Sequence, residues 1–179
     1  MSRQQAPKAD PSRKPGGGVC LGGPREPAWP SGTHDLSDAE FIAAMDRLTL
    51  PKDDFRHYDH IRLAWILLRQ SDGGDGMNVD AASDRMALSI QRFAHQHGAR
   101  GKYHETITRA YMRFVAAHVR LTPHADDFGE FAAANPQLFD RTLPLIYYSE
   151  SLLMSVAARA AWVEPDLKPL PAITDRSGA

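Results

Sequence analysis

An all-α fold is predicted for this chain by three observations. Apolar residues recur at three- and four-residue spacing in successive segments, capping and breaking residues stand at the segment ends, and no alternating strand pattern occurs. The expected architecture is an irregular antiparallel helical bundle of about five or six helices, closed by an extended, Pro-rich C-terminal segment.

Residues 1–34 are rich in proline and glycine and nearly devoid of aliphatic side chains. Such a mixture cannot bury enough surface to offset its ordering entropy, so a disordered tail is expected there. A single helical domain is expected over residues 35–171, with a flexible C-terminus at 172–179.

The first helix is predicted to open at Ser37-Asp38-Ala39-Glu40, a capping box, with Phe41, Ile42, Met45 and Leu48 as its apolar stripe. Thr49-Leu50-Pro51 ends it, because proline drives the preceding residue out of the α region. A second helix is expected from about Tyr58 to Gln70, stopped by Ser71-Asp72-Gly73-Gly74-Asp75-Gly76. Asp80 or Ser83 is the predicted cap of a third, in which Met86, Ile90, Phe93 and His97 recur along one face until Gly98 offers a left-handed C-terminal cap. His95 and His97, near that helix end, are read as complements to its macrodipole. A fourth helix follows Lys102, burying Ile107, Ala110, Tyr111, Phe114 and Val115, and ends near Thr122-Pro123. A short helix from Asp126 to Ala134 is capped by Asp126 or Asp127 and ended by Asn135-Pro136. The last runs from an N-cap at Ser149 through Ala161, with Leu152, Val156 and Ala160 as its core contacts. The prolines after Val163 exclude helix, so that stretch is expected to lie extended across the bundle.

Lys plus Arg (21) nearly balances Asp plus Glu (22), leaving a net charge of -1 and no electrostatic case for nucleic acid or an anionic membrane. A small-molecule substrate or ligand suits this balance better. A lone cysteine, Cys20, excludes an internal disulfide framework and a Cys-rich zinc site. With no apolar run approaching the ~20 residues that span a bilayer, and no secretory signal, a cytoplasmic protein without a membrane partner is expected.

The chemistry-bearing feature is Phe55-Arg56-His57-Tyr58-Asp59-His60, which puts two imidazoles at i,i+3 where an apolar helix begins. Residues at that spacing are neighbours, roughly 5–6 Å apart at Cβ, so both rings can serve one ion or one ligand. A third imidazole, His104 in Lys102-Tyr103-His104-Glu105-Thr106-Ile107-Thr108, also stands at a helix start. Three imidazoles suit zinc, and two plus a carboxylate suit non-haem iron, so a divalent metal (zinc or iron) is the expected cofactor. His57, His60 and His104 are its expected ligands, with Glu164 or Asp166 from the extended segment completing or gating the site.

Glu105 adjoins a ligand without needing to be one, which makes it the candidate general base. Trp65, Tyr103 and Arg159 are candidate substrate contacts, although Arg159 is favoured as a salt-bridge partner of Glu164 or Asp166. Each piece has a plainer reading. Helix-start histidines commonly bond a nearby carbonyl, and buried tyrosines commonly hold one satisfied hydroxyl. A shared site requires the second and fourth helices to run parallel or to cross near their starts.

Phe55-x-His57-x-Asp59-His60 with Ala64-Trp65, the 102–108 motif, and Val163-Glu164-Pro165-Asp166-Leu167 with Pro169-Leu170-Pro171 together resemble a family of small, uncharacterised bacterial helical proteins. The resemblance covers about residues 36–171. It implies that the three motifs belong to one unit, and brings no activity or ligand with it. The sequence therefore predicts a metal-binding helical protein, in the form of a small metalloenzyme for metal-assisted hydrolysis or iron-dependent oxidation. The alternatives are a non-enzymatic domain that binds a small ligand and one that binds another protein.

Overall fold

The computed structural model describes residues 32–72 and 76–173, so most of the expected tail and of the flexible C-terminus lies outside the described residues. Seven α-helices and four short 3₁₀ turns occur among them, and no strand. Five helices have seven residues or more: α1 (Asp38–Asp46), α2 (His57–Gln70), α3 (Val79–Gln96), α4 (Glu105–Leu121) and α5 (Phe128–Ala134). The two others, α6 (Glu150–Leu153) and α7 (Val156–Ala160), are single turns or little more. None is long and apolar enough to cross a membrane.

The core forms around α2, whose residues from Ile61 to Leu68 are all buried. A helix buried on every side sits at the centre of its domain rather than on a face. α3 runs antiparallel to it: Gln70 at the end of α2 accepts from Arg85, while Phe55 before its start meets Phe93 near the end of α3. α4 is in turn antiparallel to α3: Tyr103, before its start, meets Gln91 late in α3, and Arg109 further on bonds the earlier Asp84 at 2.7 Å. α2 and α4 are therefore parallel, and Arg69 at the end of α2 reaches Ala125 O beyond the end of α4.

The caps explain the boundaries. Ser37 and Glu40 form the expected capping box. α3 is capped by Asn78, two residues before Asp80 and five before Ser83. Asn78 Oδ1 accepts from Ala81 N at 3.0 Å, whereas Ser83 spends its hydroxyl on the Val79 carbonyl one turn behind it. Gly98 ends α3 with φ +64°, as its position at the close of the apolar stripe predicts.

The expected single helix from Ser149 through Ala161 is two helices. Ser149 caps α6, but Ser155 Oγ accepts from Ala158 N and starts α7 afresh. The break resets the buried face: Leu153 and Ala158 are in the core, Leu152 is half-buried, and Val156 and Ala160 are exposed.

From Ala161 to Ile173 the chain has neither helix nor strand. The buried Thr106 hydroxyl fastens it to α4, donating to Ala161 O at 2.8 Å and accepting from Val163 N at 3.2 Å. At the other end Thr33, placed in the tail by composition, is fully buried. Its hydroxyl bonds Asp59, and the buried Arg62 donates to Thr33 O, Leu36 O and Asp38. A buried guanidinium needs acceptors for its donors, and this stretch accepts four hydrogen bonds from it.

Candidate functional site

The parallel course of α2 and α4 meets the sequence condition for a shared His57/His60/His104 site, but the register does not bring the three rings together. His57 lies edge-on to Tyr111, with ring centroids 5.0 Å apart. Tyr111 is seven residues beyond His104, and at ~1.5 Å per residue this puts His104 about 10 Å back along the helix axis. Among the described residues no group of three or more His, Cys, Asp or Glu is placed to hold a metal ion.

His104 is the N-cap of α4, and backbone groups occupy both its ring nitrogens. Nδ1 accepts from Ile107 N at 3.3 Å, so Nε2 carries the hydrogen and donates to Leu153 O at 2.8 Å. Burial, and to a lesser degree the Arg159 charge, hold its pKa below 6.5 against the opposing pull of the Leu153 carbonyl. A ring so held is a structural cross-brace between α4 and α6 with no lone pair left for a ligand.

The other expected site residues are likewise dispersed. His57 Nε2 donates to Leu138 O at 3.1 Å. Glu164 accepts from Trp162 Nε1 at 2.9 Å, and Asp166 accepts from the backbone and hydroxyl of Ser149 at 2.7 and 2.6 Å. The C-terminal segment thus docks on the end of the bundle where α6 begins. Glu105, the candidate base, accepts from Tyr103 and is paired with Arg109 at 2.5 Å. Its oxygens are thus committed to two neighbouring donors rather than aimed at a substrate. Arg159 donates to Gly101 O and Tyr103 O rather than pairing with Glu164 or Asp166, because backbone carbonyls at the α3–α4 connection lie within its reach. Trp65 is a core residue, set between Phe128, Phe131 and the Arg69 guanidinium.

Two of the expected residues do meet, at a place the metal reading does not anticipate. His60 and Tyr103 line a cavity of about 310 Å³ between the α1–α2 connection, α2, the end of α3 and the α3–α4 connection. His97 is the third polar ring in its wall, and Phe55, Ile90, Phe93 and Ala94 make it largely apolar. The rings form a continuous run: His60 lies edge-on to Phe55 at 4.2 Å, Phe55 meets Phe93 at 4.8 Å, and Phe93 meets His97 at 4.4 Å.

The wall of this cavity includes imidazoles with unspent hydrogen-bonding capacity. His97 Nε2 is buried without a hydrogen-bond partner, and the His60 ring has none among the described residues. Burial, with smaller contributions from His57 and Arg141, pushes the His60 pKa down to about 4, so the ring is neutral and offers one N–H and one lone pair. Burial and the bond to Glu105 push the Tyr103 hydroxyl up to about 12, keeping it protonated. Other hollows on the surface are larger, and several of their polar groups are already engaged. Beside Glu105 the charges of Arg109 neutralise it, along the C-terminal segment Asp166 is bound to Ser149, and beside Trp65 the Arg69 head is held by Ala125 O.

His97 is the site residue that sequence reading misses. Its signal is the i,i+4 relation to Phe93, which continues the apolar stripe of α3 to a polar ring at the helix end. Comparison with protein-family models, with curated proteins and with solved structures finds no match to this chain.

Proposed function

We propose that this protein is a helical domain that binds a small organic molecule in the cavity walled by His60, His97 and the Phe55–Phe93 ring pair. One observation carries the reading: the His60 ring, with no hydrogen-bond partner among the described residues, lines a hollow walled mainly by Phe55, Ile90, Phe93 and Ala94. A ligand that bonds the partly buried His60 ring gains a hydrogen bond worth roughly 0.5–1.5 kcal/mol. A mostly apolar hollow with a few convergent polar groups is the usual form of a small-molecule site, and about 310 Å³ is at the small end of that class.

The test is a fragment screen on the full-length protein, read by the ring carbon–proton NMR signals of its histidines. Binders are expected to shift the His60 and His97 signals while leaving His104, closed by two backbone bonds, in place. A screen in which no fragment moves either ring overturns the reading.

A further inference from the structure

We infer that the ligand of this cavity is a small aromatic monocarboxylate, an inference that rests on the cavity being a binding site and adds the chemistry it selects. Lys52, Arg56 and Lys102 line the cavity with a single acid, Asp53. Among the described residues none of these four side chains is in an ion pair. Arg56 is oriented by its Nε donating to Asp53 O at 2.8 Å, which leaves its terminal nitrogens unspent. Three cations against one anion, over a low-dielectric wall, concentrate positive potential at the mouth of a chain whose overall charge is only -1.

The interior sets the rest of the ligand. The Phe55, Phe93 and His97 rings offer faces and edges to a planar group, and ring pairs of this kind favour offset or edge-on contact. The volume admits one ring system with a short substituent and is too small for a nucleotide. At the polar end, the neutral His60 ring supplies an N–H to a carboxylate oxygen, and such charge-assisted bonds are about twice as strong as neutral ones. A cationic ligand meets three like charges, and a neutral one leaves the cations unused.

The experiment compares three probes of one shape on the full-length protein at neutral pH: benzoate, benzamide and benzamidinium. Affinities are read from the His60 and His97 ring signals. Benzoate is expected to bind about tenfold more tightly than benzamide, and benzamidinium more weakly than either. The preference for benzoate is expected to shrink as salt rises from ~20 to ~300 mM, since exposed lysines are screened within about a Debye length. In a Lys52→Gln, Lys102→Gln double variant, benzoate affinity is expected to fall about tenfold, and discrimination between the acid and the amide to collapse. These lysines are exposed, so the fold survives their loss. Equal binding of all three probes at these rings overturns the carboxylate inference and leaves the cavity as a binding site. Failure of every probe to move either ring overturns both.

Discussion

His57 stands edge-on to Tyr111, with ring centroids 5.0 Å apart, and this contact sets the register between the first turn of α2 and the second turn of α4. Tyr111 in turn donates to Asp140 O at 3.0 Å, and His57 donates to Leu138 O, so both rings anchor the chain that follows α5. The register explains why two helix-start histidine motifs on parallel helices do not share a site. It also divides the i,i+3 pair, with His57 turned to a structural junction and His60 to the cavity.

Replacing His104 separates its bracing role from ligation. His104→Ala removes the cap on Ile107 N and the donor to Leu153 O, and is expected to cost roughly 1–3 kcal/mol in denaturant unfolding. Addition of zinc or of a chelator is expected to leave the melting temperature of wild type and variant alike unmoved. A zinc-induced rise in the wild type that the variant lacks would restore His104 as a ligand.

Acid should weaken the fold through His60. Its folded-state pKa is depressed to about 4 from 6.5, so the neutral ring favours the native state. The stability is fully present above 6.5 and is lost as pH falls toward about 4, where the unfolded chain binds the proton more readily. His57 and His104, also depressed by burial, act in the same direction. Unfolding free energies measured across this window should fall with pH, and His60→Gln should flatten the slope. An unchanged slope in that variant would remove His60 as a source.

Arg62 ties the segment before α1 to the central helix, with bonds of 2.9 Å to Thr33 O, 2.6 Å to Leu36 O and 2.7 Å to Asp38. Arg62→Ala strands these acceptors and is expected to destabilise by roughly 2–4 kcal/mol. Hydrogen exchange should show the loss of protection concentrated in residues 32–38. Uniform loss across the bundle would mean that Arg62 acts mainly through core packing.

Thr106→Val keeps the shape of a fully buried side chain and deletes both bonds to the C-terminal segment. The expected cost is roughly 1–3 kcal/mol, because Ala161 O and Val163 N lose their partner. Trp162 fluorescence, reporting where the segment docks, should shift in the folded variant. Wild-type emission together with wild-type stability would show that the segment is held by its other contacts.

Gly98→Ala probes the backbone alone. At φ +64° with no heavy atom within 4 Å of an added Cβ, the substitution meets strain and no clash. A cost of about 1–2 kcal/mol is expected, the ordinary penalty of an L-residue in the left-handed region. A neutral result in thermal unfolding would show that the turn relaxes to accommodate it.

Sequence periodicity and punctuation determined the helical class, the five longer helices and most of their ends. The Ser37 capping box, Gly98 and the Asn135-Pro136 stop are local devices, in which a side chain or a φ preference acts within one turn. The tertiary structure alone decided the rest. Asn78 caps α3 because Ser83 turns its hydroxyl to its own helix, and Ser155 breaks the last helix because its oxygen finds Ala158 N; both are choices among chemically equivalent residues. The axial offset of about 10 Å between His57 and His104 comes from how side chains on α2 and α4 interlock, and no spacing within either helix encodes it. For the same reason His60, Tyr103 and His97, from three separate elements, could be joined into one cavity only by the packing of α2, α3 and the α3–α4 connection.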